Sequence, residues 1–144
     1  MAEVAGRVLI AEGDEELRRR LYSRLLDLDV FSDSVTRNRH AIEHLDERSY
    51  AVVVLDPNLG DGDCLQVLER IRNIPLKERP VVIVTAASPA AYGLNSDAVH
   101  IVVRKPYSVN QVADLVHSCV RRAVASSPNA PAAPSSKKSD QAEG

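Results

Sequence analysis

Short, almost wholly apolar runs alternate along the chain with longer segments in which apolar residues recur every three or four positions. The runs are Val8 to Ala11, Ala51 to Leu55, Val81 to Val84 and Ile101 to Val103. Their brevity and unbroken hydrophobicity predict strands buried on both faces. Val30 to Val35, interrupted by Ser32, Asp33 and Ser34, predicts a weaker strand. Leu17, Leu21, Leu25 and Leu28 repeat at i, i+4, i+8 and i+11, which predicts a first helix. Asp14, Glu15 and Glu16 stand at its start, where the positive end of the helix dipole favours anions. Ala41, Ile42 and Leu45 predict a shorter second helix. Asp63 followed by Gln66 resembles a capping box, opening a helix in which Cys64, Leu68 and Ile71 share a face. Ser108 and Gln111 repeat the device ahead of Val109, Val112, Val116, Cys119 and Ala123. Between the last two strands, Ser88 and Pro89 open a helical start that Gly93 and Asn95 soon interrupt, so a short or irregular helix is expected there.

Alternation of strand and helix without internal repeat selects a parallel sheet sandwiched between helices, because each right-handed crossover must lay its helix on one face or the other. The 144 residues, 44% of them hydrophobic, are enough for one sizeable core. With 18 basic and 20 acidic side chains, the net charge of −2 offers no global field for nucleic acid or an anionic membrane. Arg18, Arg19 and Arg20 lie among acidic neighbours and read as a solvated helix face rather than a phosphate-binding patch. No apolar stretch approaches the ~20 residues that span a bilayer, and Met1 to Gly6 does not resemble a secretory leader. Neither direct nucleic-acid binding nor membrane attachment is expected. Cys64 and Cys119, at apolar helix positions in a chain without a leader, argue for reduced, buried thiols and a cytoplasmic setting. After Arg122 the composition turns to proline, serine and alanine, which cannot bury enough surface to offset ordering entropy. The expected division is a folded domain over 1–123 and a disordered tail over 124–144. Lys137 and Lys138 are too few to make a DNA-binding arm.

The apolar runs close on polar residues: Glu12, Asp56, Thr85 and Lys105. In a parallel sheet covered by helices the carboxyl ends of the strands share one edge, so these side chains converge in a crevice there. Each alone has an ordinary explanation as a turn carboxylate, a strand-end hydroxyl or a solvated stem. Together, at successive strand ends, they predict a small charged reaction site. Asp56, Asn58, Asp61 and Asp63 superficially resemble a calcium loop, but its sixth position is Asp61 rather than glycine and its twelfth is Val67 rather than glutamate. A phosphatase of the haloacid dehalogenase type would place a second aspartate where Asn58 stands. His40 and His44 lie one helical turn apart without a third ligand and read as a helix face. His117 interrupts an apolar helix, and Tyr107 is expected to pack at the rim of the site.

On these residues, the stretch from about 7 to 122 resembles a receiver domain of the two-component response regulators. Five features carry the resemblance: Val8-Leu9-Ile10-Ala11-Glu12, Val53-Val54-Leu55-Asp56, Ile83-Val84-Thr85-Ala86, Lys105-Pro106-Tyr107, and the helical pattern between them. It implies an α/β fold, a doubly wound five-stranded parallel sheet flanked by five helices in flavodoxin-like order, the fourth helix being short or irregular. It implies phosphorelay signal transduction in which Asp56 accepts a phosphoryl group from a sensor histidine kinase, a phosphotransfer protein or a small phosphodonor. Lys105 would compensate the transferred charge, an attraction on the order of 4 kcal/mol at about 4 Å before desolvation. Thr85 would hydrogen-bond the phosphoryl oxygen, small Ala86 would leave the site open, and the Lys105–Pro106 peptide would be cis. Enzymatic activity would extend at most to self-phosphorylation and self-dephosphorylation at Asp56. With no output domain on the chain, a downstream protein effector would be reached through a protein–protein face.

By the same resemblance Mg²⁺ would be held by Glu12, Asp56 and the backbone carbonyl of Asn58. Family members usually carry two adjacent acids after the first strand, and here the pair is Glu12-Gly13. Loss of a direct ligand weakens Mg²⁺ by at least the ~10–100-fold that an outer-shell partner costs. Asp14 could substitute only if the glycine lets the loop rearrange. Val102 stands where the family often has an aromatic residue that reports phosphorylation, and Cys64 where glycine is common. Gly13 and Val102 favour an alternative, a pseudo-receiver that binds a partner without phosphorylation. Asp56, Thr85 and Lys105 favour the phosphoacceptor.

Overall fold

The computed structural model describes residues 6–88 and 97–126. In chain order its strands are β1 (Val8–Ala11), β2 (Ser32–Val35), β3 (Val52–Leu55), β4 (Asn58–Leu59), β5 (Gly62–Asp63), β6 (Val81–Ala86) and β7 (Ile101–Arg104). The helices are α1 (Glu15–Asp27), α2 (Asn38–Glu47), α3 (Leu65–Arg72) and α4 (Val109–Ser126). Five strands form one sheet in the order β2-β1-β3-β6-β7, every neighbour parallel, and β4 pairs antiparallel with β5 as a separate hairpin. This is the doubly wound α/β architecture expected.

Successive strand residues point to opposite faces, and both faces are covered. Val8, Ile10, Val52, Val54 and Ile83 pack with Leu21 and Leu25 of α1 and Val112, Ala113 and Val116 of α4. On the other face Leu9, Ala11, Val53, Leu55, Val82 and Val84 pack with Ala41 and Leu45 of α2 and Val67, Leu68 and Ile71 of α3. That is why β1 and β3 tolerate no polar residue. Each fully buried leucine or isoleucine among them contributes about 1.5–3 kcal/mol from burial.

The edge strands behave differently. Val102 in β7 is 42% exposed and Ile101 and Val103 are only partly buried, so the last apolar run is not covered on both faces as its composition suggested. β2 carries Asp33, whose carboxylate receives Arg7, Arg48 and the hydroxyl of Tyr50, which is how an edge strand accommodates a charge.

Asp14 is the N-cap of α1, its Oδ1 accepting from the Leu17 amide at 3.0 Å, and Glu15 and Glu16 fill the first turn, so the anions stand at the positive end of the helix as expected. At α3, Asp63 accepts from Leu65, two residues on, and the N-cap is Cys64 with no side-chain bond. The capping box does not form because Asp63 is held in the β4–β5 hairpin. Ahead of α4 the Ser108 hydroxyl does accept from the Gln111 amide, at 3.2 Å.

Helix α4 runs to Ser126, past the boundary placed at 123, because Val124 follows Val120 by one turn and both close over Gly6. Residues 127–144, the rest of the expected tail, lie outside the described residues. So do 89–96, on which the short or irregular helix was expected. Among the described residues there are four α-helices and one 3-10 turn, Leu76–Glu78. None of these helices is long and apolar enough to cross a membrane. Both cysteines are free. Cys64 is buried, whereas Cys119 is only half-buried.

Candidate functional site at the carboxyl edge of the sheet

The parallel register sets β1, β3 and β6 level, with Ala11 beside Leu55 and Leu55 beside Val84. One residue further along each strand come Glu12, Asp56 and Thr85, all buried, with exposures of 1%, 8% and 0%. Lys105 follows β7 and is fixed by the hydrogen bond its backbone amide donates to the Ala86 carbonyl, and the Lys105–Pro106 peptide is cis. Its Nζ lies 2.9 Å from Glu12 Oε2 and 3.4 Å from Asp56 Oδ2. Asp56 is also gripped by main chain, with the Asn58 amide donating to Oδ1 at 3.0 Å and the Gly13 amide to Oδ2 at 3.3 Å. Glu12 Oε2 accepts from the Asp14 amide at 3.0 Å.

The structure thus brings Glu12, Asp56 and Lys105 into direct contact and sets Thr85 beside them. Thr85 Oγ1 has no hydrogen-bond partner and neither does Glu12 Oε1, although both are buried. The Tyr107 hydroxyl is a third such atom, and Tyr107 packs at the rim as expected. Buried polar atoms without partners are uncommon. Two of these three, Glu12 Oε1 and Thr85 Oγ1, lie at the same carboxyl edge of the sheet.

Burial pushes the Glu12 carboxyl above its ordinary range, outweighing the Asp14 amide and the Lys105 ammonium that hold it down, and the charge of Asp56 adds to the rise. Burial also pulls the Lys105 ammonium down, but the hydrogen bond and charge of Glu12 and the charge of Asp56 more than reverse this, and its pKa rises. The two directions agree physically, since two acids share one cation: the ammonium is held firmly and one acid is left undercompensated. Burial, then the charges of Glu12 and Asp56, raise the Tyr107 phenol, keeping it a neutral donor. Cys64, at the start of α3, is pushed up to about 11, first by burial and then by Asp63 and Asp56, which disfavours the thiolate.

For a hard divalent cation the oxygens on offer are Glu12 Oε1, the Asp56 carboxylate and the Asn58 carbonyl. A Cβ built on Gly13 would stand 3.6 Å from Asp56 Oδ2 and 3.7 Å from the Asn58 oxygen, ordinary contacts that leave room for a side chain. A side chain at position 13 would therefore stand beside the same oxygens. Among the described residues no group of three or more His, Cys, Asp or Glu side chains is arranged for a metal ion. What remains still suits an oxygen-seeking cation, with fewer charges to hold it. Asp14 is not added to the set as it stands, because its Oδ1 is committed to capping α1.

Several functional contacts were not legible in the sequence. The Gly13 amide grips Asp56, and Arg18, read as a solvated face, donates to the Glu12 carbonyl at 3.0 Å. Asp61 of the β4–β5 turn accepts from the Asn38 and Arg39 amides at the start of α2. Main-chain donors carry no sequence signal, although the Asp61-Gly62 pair marks the turn itself. His44 Nδ1 lies against the His40 carbonyl within α2, in keeping with a helix face.

The strand order and the helices on both faces are those of a flavodoxin-like α/β domain, with this charged group at its carboxyl edge. The sequence matches the response regulator receiver domain over residues 8–117, and the chain belongs to that family. Its family is one of two-component phosphorelay signalling, whose receiver domains interact with histidine kinases or phosphotransfer proteins and with downstream effectors. Among solved structures it is similar to a CheY-like receiver domain from Methylobacillus flagellatus, at 19% identity and TM-score 0.66, with 81% of this chain and 99% of that one covered. It is also similar to the receiver domain of a putative LuxO repressor from Vibrio parahaemolyticus, at 22% identity and TM-score 0.71, covering 83% and 93%. A third, TrrA from Thermotoga maritima in complex with Mg²⁺ and BeF, shares 20% identity at TM-score 0.67, covering 79% and 98%. No curated protein matches the sequence.

Proposed function

We propose that the protein is a phosphorelay receiver in which Asp56 accepts a phosphoryl group from a sensor histidine kinase or phosphotransfer protein in the cytoplasm, and so changes a surface read by a downstream protein. An Asp56 oxygen attacks phosphorus, the new O–P bond forms as the donor's bond to phosphorus breaks, and the electron pair leaves with the donor. The single observation that carries this reading is the Lys105 ammonium 3.4 Å from Asp56 Oδ2, with the unengaged Thr85 hydroxyl one strand away. Lys105 compensates charge on the phosphoryl oxygens and Thr85 supplies the hydrogen bond that holds the product. Glu12, Asp56 and the Asn58 carbonyl would hold Mg²⁺, whose contribution there is charge compensation. Self-dephosphorylation by water is the only other chemistry the site invites.

Gly13 favours the second reading, a pseudo-receiver that keeps the fold and recognises a partner without phosphoryl chemistry. Incubation with Mg²⁺ and acetyl phosphate, followed by intact mass measurement, separates the two. The first reading requires a phosphate adduct in the wild type that Asp56→Ala does not form. A wild type without adduct at any Mg²⁺ concentration leaves the binding module standing.

A further inference from the structure

Helix α2 begins without a cap of its own. Its N-cap residue, Arg37, makes no side-chain hydrogen bond, although the first amides of any helix lack partners within it. The missing acceptor comes from the turn between β4 and β5. Asp61 Oδ1 takes the Asn38 amide at 2.7 Å and Oδ2 the Arg39 amide at 3.1 Å. The Asn38 side chain returns a bond to the Gly62 carbonyl at 3.1 Å, and Asn38 is itself buried. The Asn38 amide above all, with the opposing burial and the Arg39 amide behind it, holds the Asp61 carboxyl below its ordinary range. At its other end the same hairpin starts from Asn58, whose amide holds Asp56 Oδ1 and whose carbonyl faces the Gly13 position. Leu59, between the two anchors, is buried in one cluster with Ala41 and Leu45 of α2.

We propose that Asp61 is a positioning residue that locks the phosphoacceptor loop to the start of α2, so that a change of charge at Asp56 is transmitted to α2. The proposal rests on Asp56 being the modified residue, but the linkage itself needs no phosphodonor. A phosphoryl group on Asp56 turns the carboxylate that accepts the Asn58 amide into an acyl phosphate, which changes the strength of that bond. A hairpin tied at its tip and packed at its middle then carries the change to the two α2 amides. This makes the exposed side of α2 a surface that reads the state of the site.

The experiment is amide hydrogen exchange and amide chemical shifts in the wild type, Asp56→Asn, Asp61→Ala, Asp61→Asn and the two double variants. Asp61→Ala should speed exchange at Asn38 and Arg39 by roughly tenfold, as removal of a helix cap does, and should move the Gly13 and Asn58 amide resonances. Asp61→Asn, which keeps one acceptor oxygen, should fall between. Asp56→Asn should alter exchange at Asn38 and Arg39 when Asp61 is present and leave it unaltered when Asp61 is alanine. A purely structural cap would give the same Asp56→Asn response in both backgrounds, and that additivity overturns the proposal. So does a Gly13 and Asn58 pair that ignores Asp61→Ala. Should Asp61→Ala not fold, Asp61→Asn carries the same comparison. If acetyl phosphate leaves no adduct while α2 still responds to Asp56→Asn through Asp61, the phosphoryl reading falls and the linkage stands.

Discussion

Lys105 is nearer to Glu12 than to Asp56, 2.9 Å against 3.4 Å, so the strand-end ammonium is first the partner of Glu12 and only second of Asp56. Any phosphoryl oxygen arriving at Asp56 competes with Glu12 for that cation. Glu12 is 1% exposed, and removing Lys105 would leave two neighbouring carboxylates uncompensated. Breaking a buried pair costs about 3–5 kcal/mol, and the 19% exposure of the Lys105 side chain reduces this. Lys105→Met should therefore destabilise the fold by about 2 kcal/mol. Glu12→Gln in the same background should restore much of the loss. Urea denaturation of the four proteins measures the coupling, and simple additivity would show that the pair does not act as one.

Gly13→Asp should supply the carboxylate the cation position lacks. The Cβ fits at 3.6 Å from Asp56 Oδ2 and 3.7 Å from the Asn58 oxygen without displacing either. Mg²⁺ affinity measured by calorimetry should rise by roughly tenfold or more, and without Mg²⁺ the variant should be less stable, since a third acid joins Glu12 and Asp56. A titration indistinguishable from the wild type would mean that position 13 does not face the cation.

Asp33 is the anchor of the β2 edge. The Tyr50 hydroxyl donates to its Oδ2 at 2.6 Å, Arg7 meets its Oδ1 at 3.1 Å, and Tyr50 is 4% exposed. Burial and the Asp33 carboxylate raise the Tyr50 phenol, so it stays a donor at all ordinary pH values. Tyr50→Phe should cost about 1.5 kcal/mol, the low end for a hydrogen bond to a charge because the arginines remain. Thermal denaturation reads the difference, and an unchanged midpoint would show the bond to be redundant with Arg7.

Asp61 should leave a signature in acid. Its folded pKa lies below the ordinary 3.8, so the native state releases its proton more readily than the unfolded chain. The stability this confers is complete above the unfolded value and is lost as pH falls through the folded one. Between pH 5 and pH 3 the urea midpoint of the wild type should therefore drop more steeply than that of Asp61→Asn. Parallel curves would remove the carboxylate's charge from the account of the α2 cap.

The strand runs were legible because a sheet covered on both faces admits only apolar residues, and Val8 to Ala11 and Val52 to Leu55 obey that rule without exception. Their polar successors, Glu12, Asp56 and Thr85, followed from the common edge of parallel strands. Ile101 to Val103 reads like the other runs in composition yet lies at the sheet's margin, where Val102 is 42% exposed, because strand order is a matter of pairing and not of local pattern.

By itself the amino-acid sequence determined the layered α/β fold and the identity of the acid, hydroxyl and ammonium at its carboxyl edge, since hydrophobic periodicity and strand-end position are local properties of the chain. Only tertiary structure decided that Lys105 pairs first with Glu12, that the Gly13 and Asn58 amides hold Asp56, and that Asp61 caps a helix whose first residue lies 23 positions earlier. Those are contacts between main chain and side chain across distant segments. They arise from where loops pass in space, which no spacing of residue types encodes.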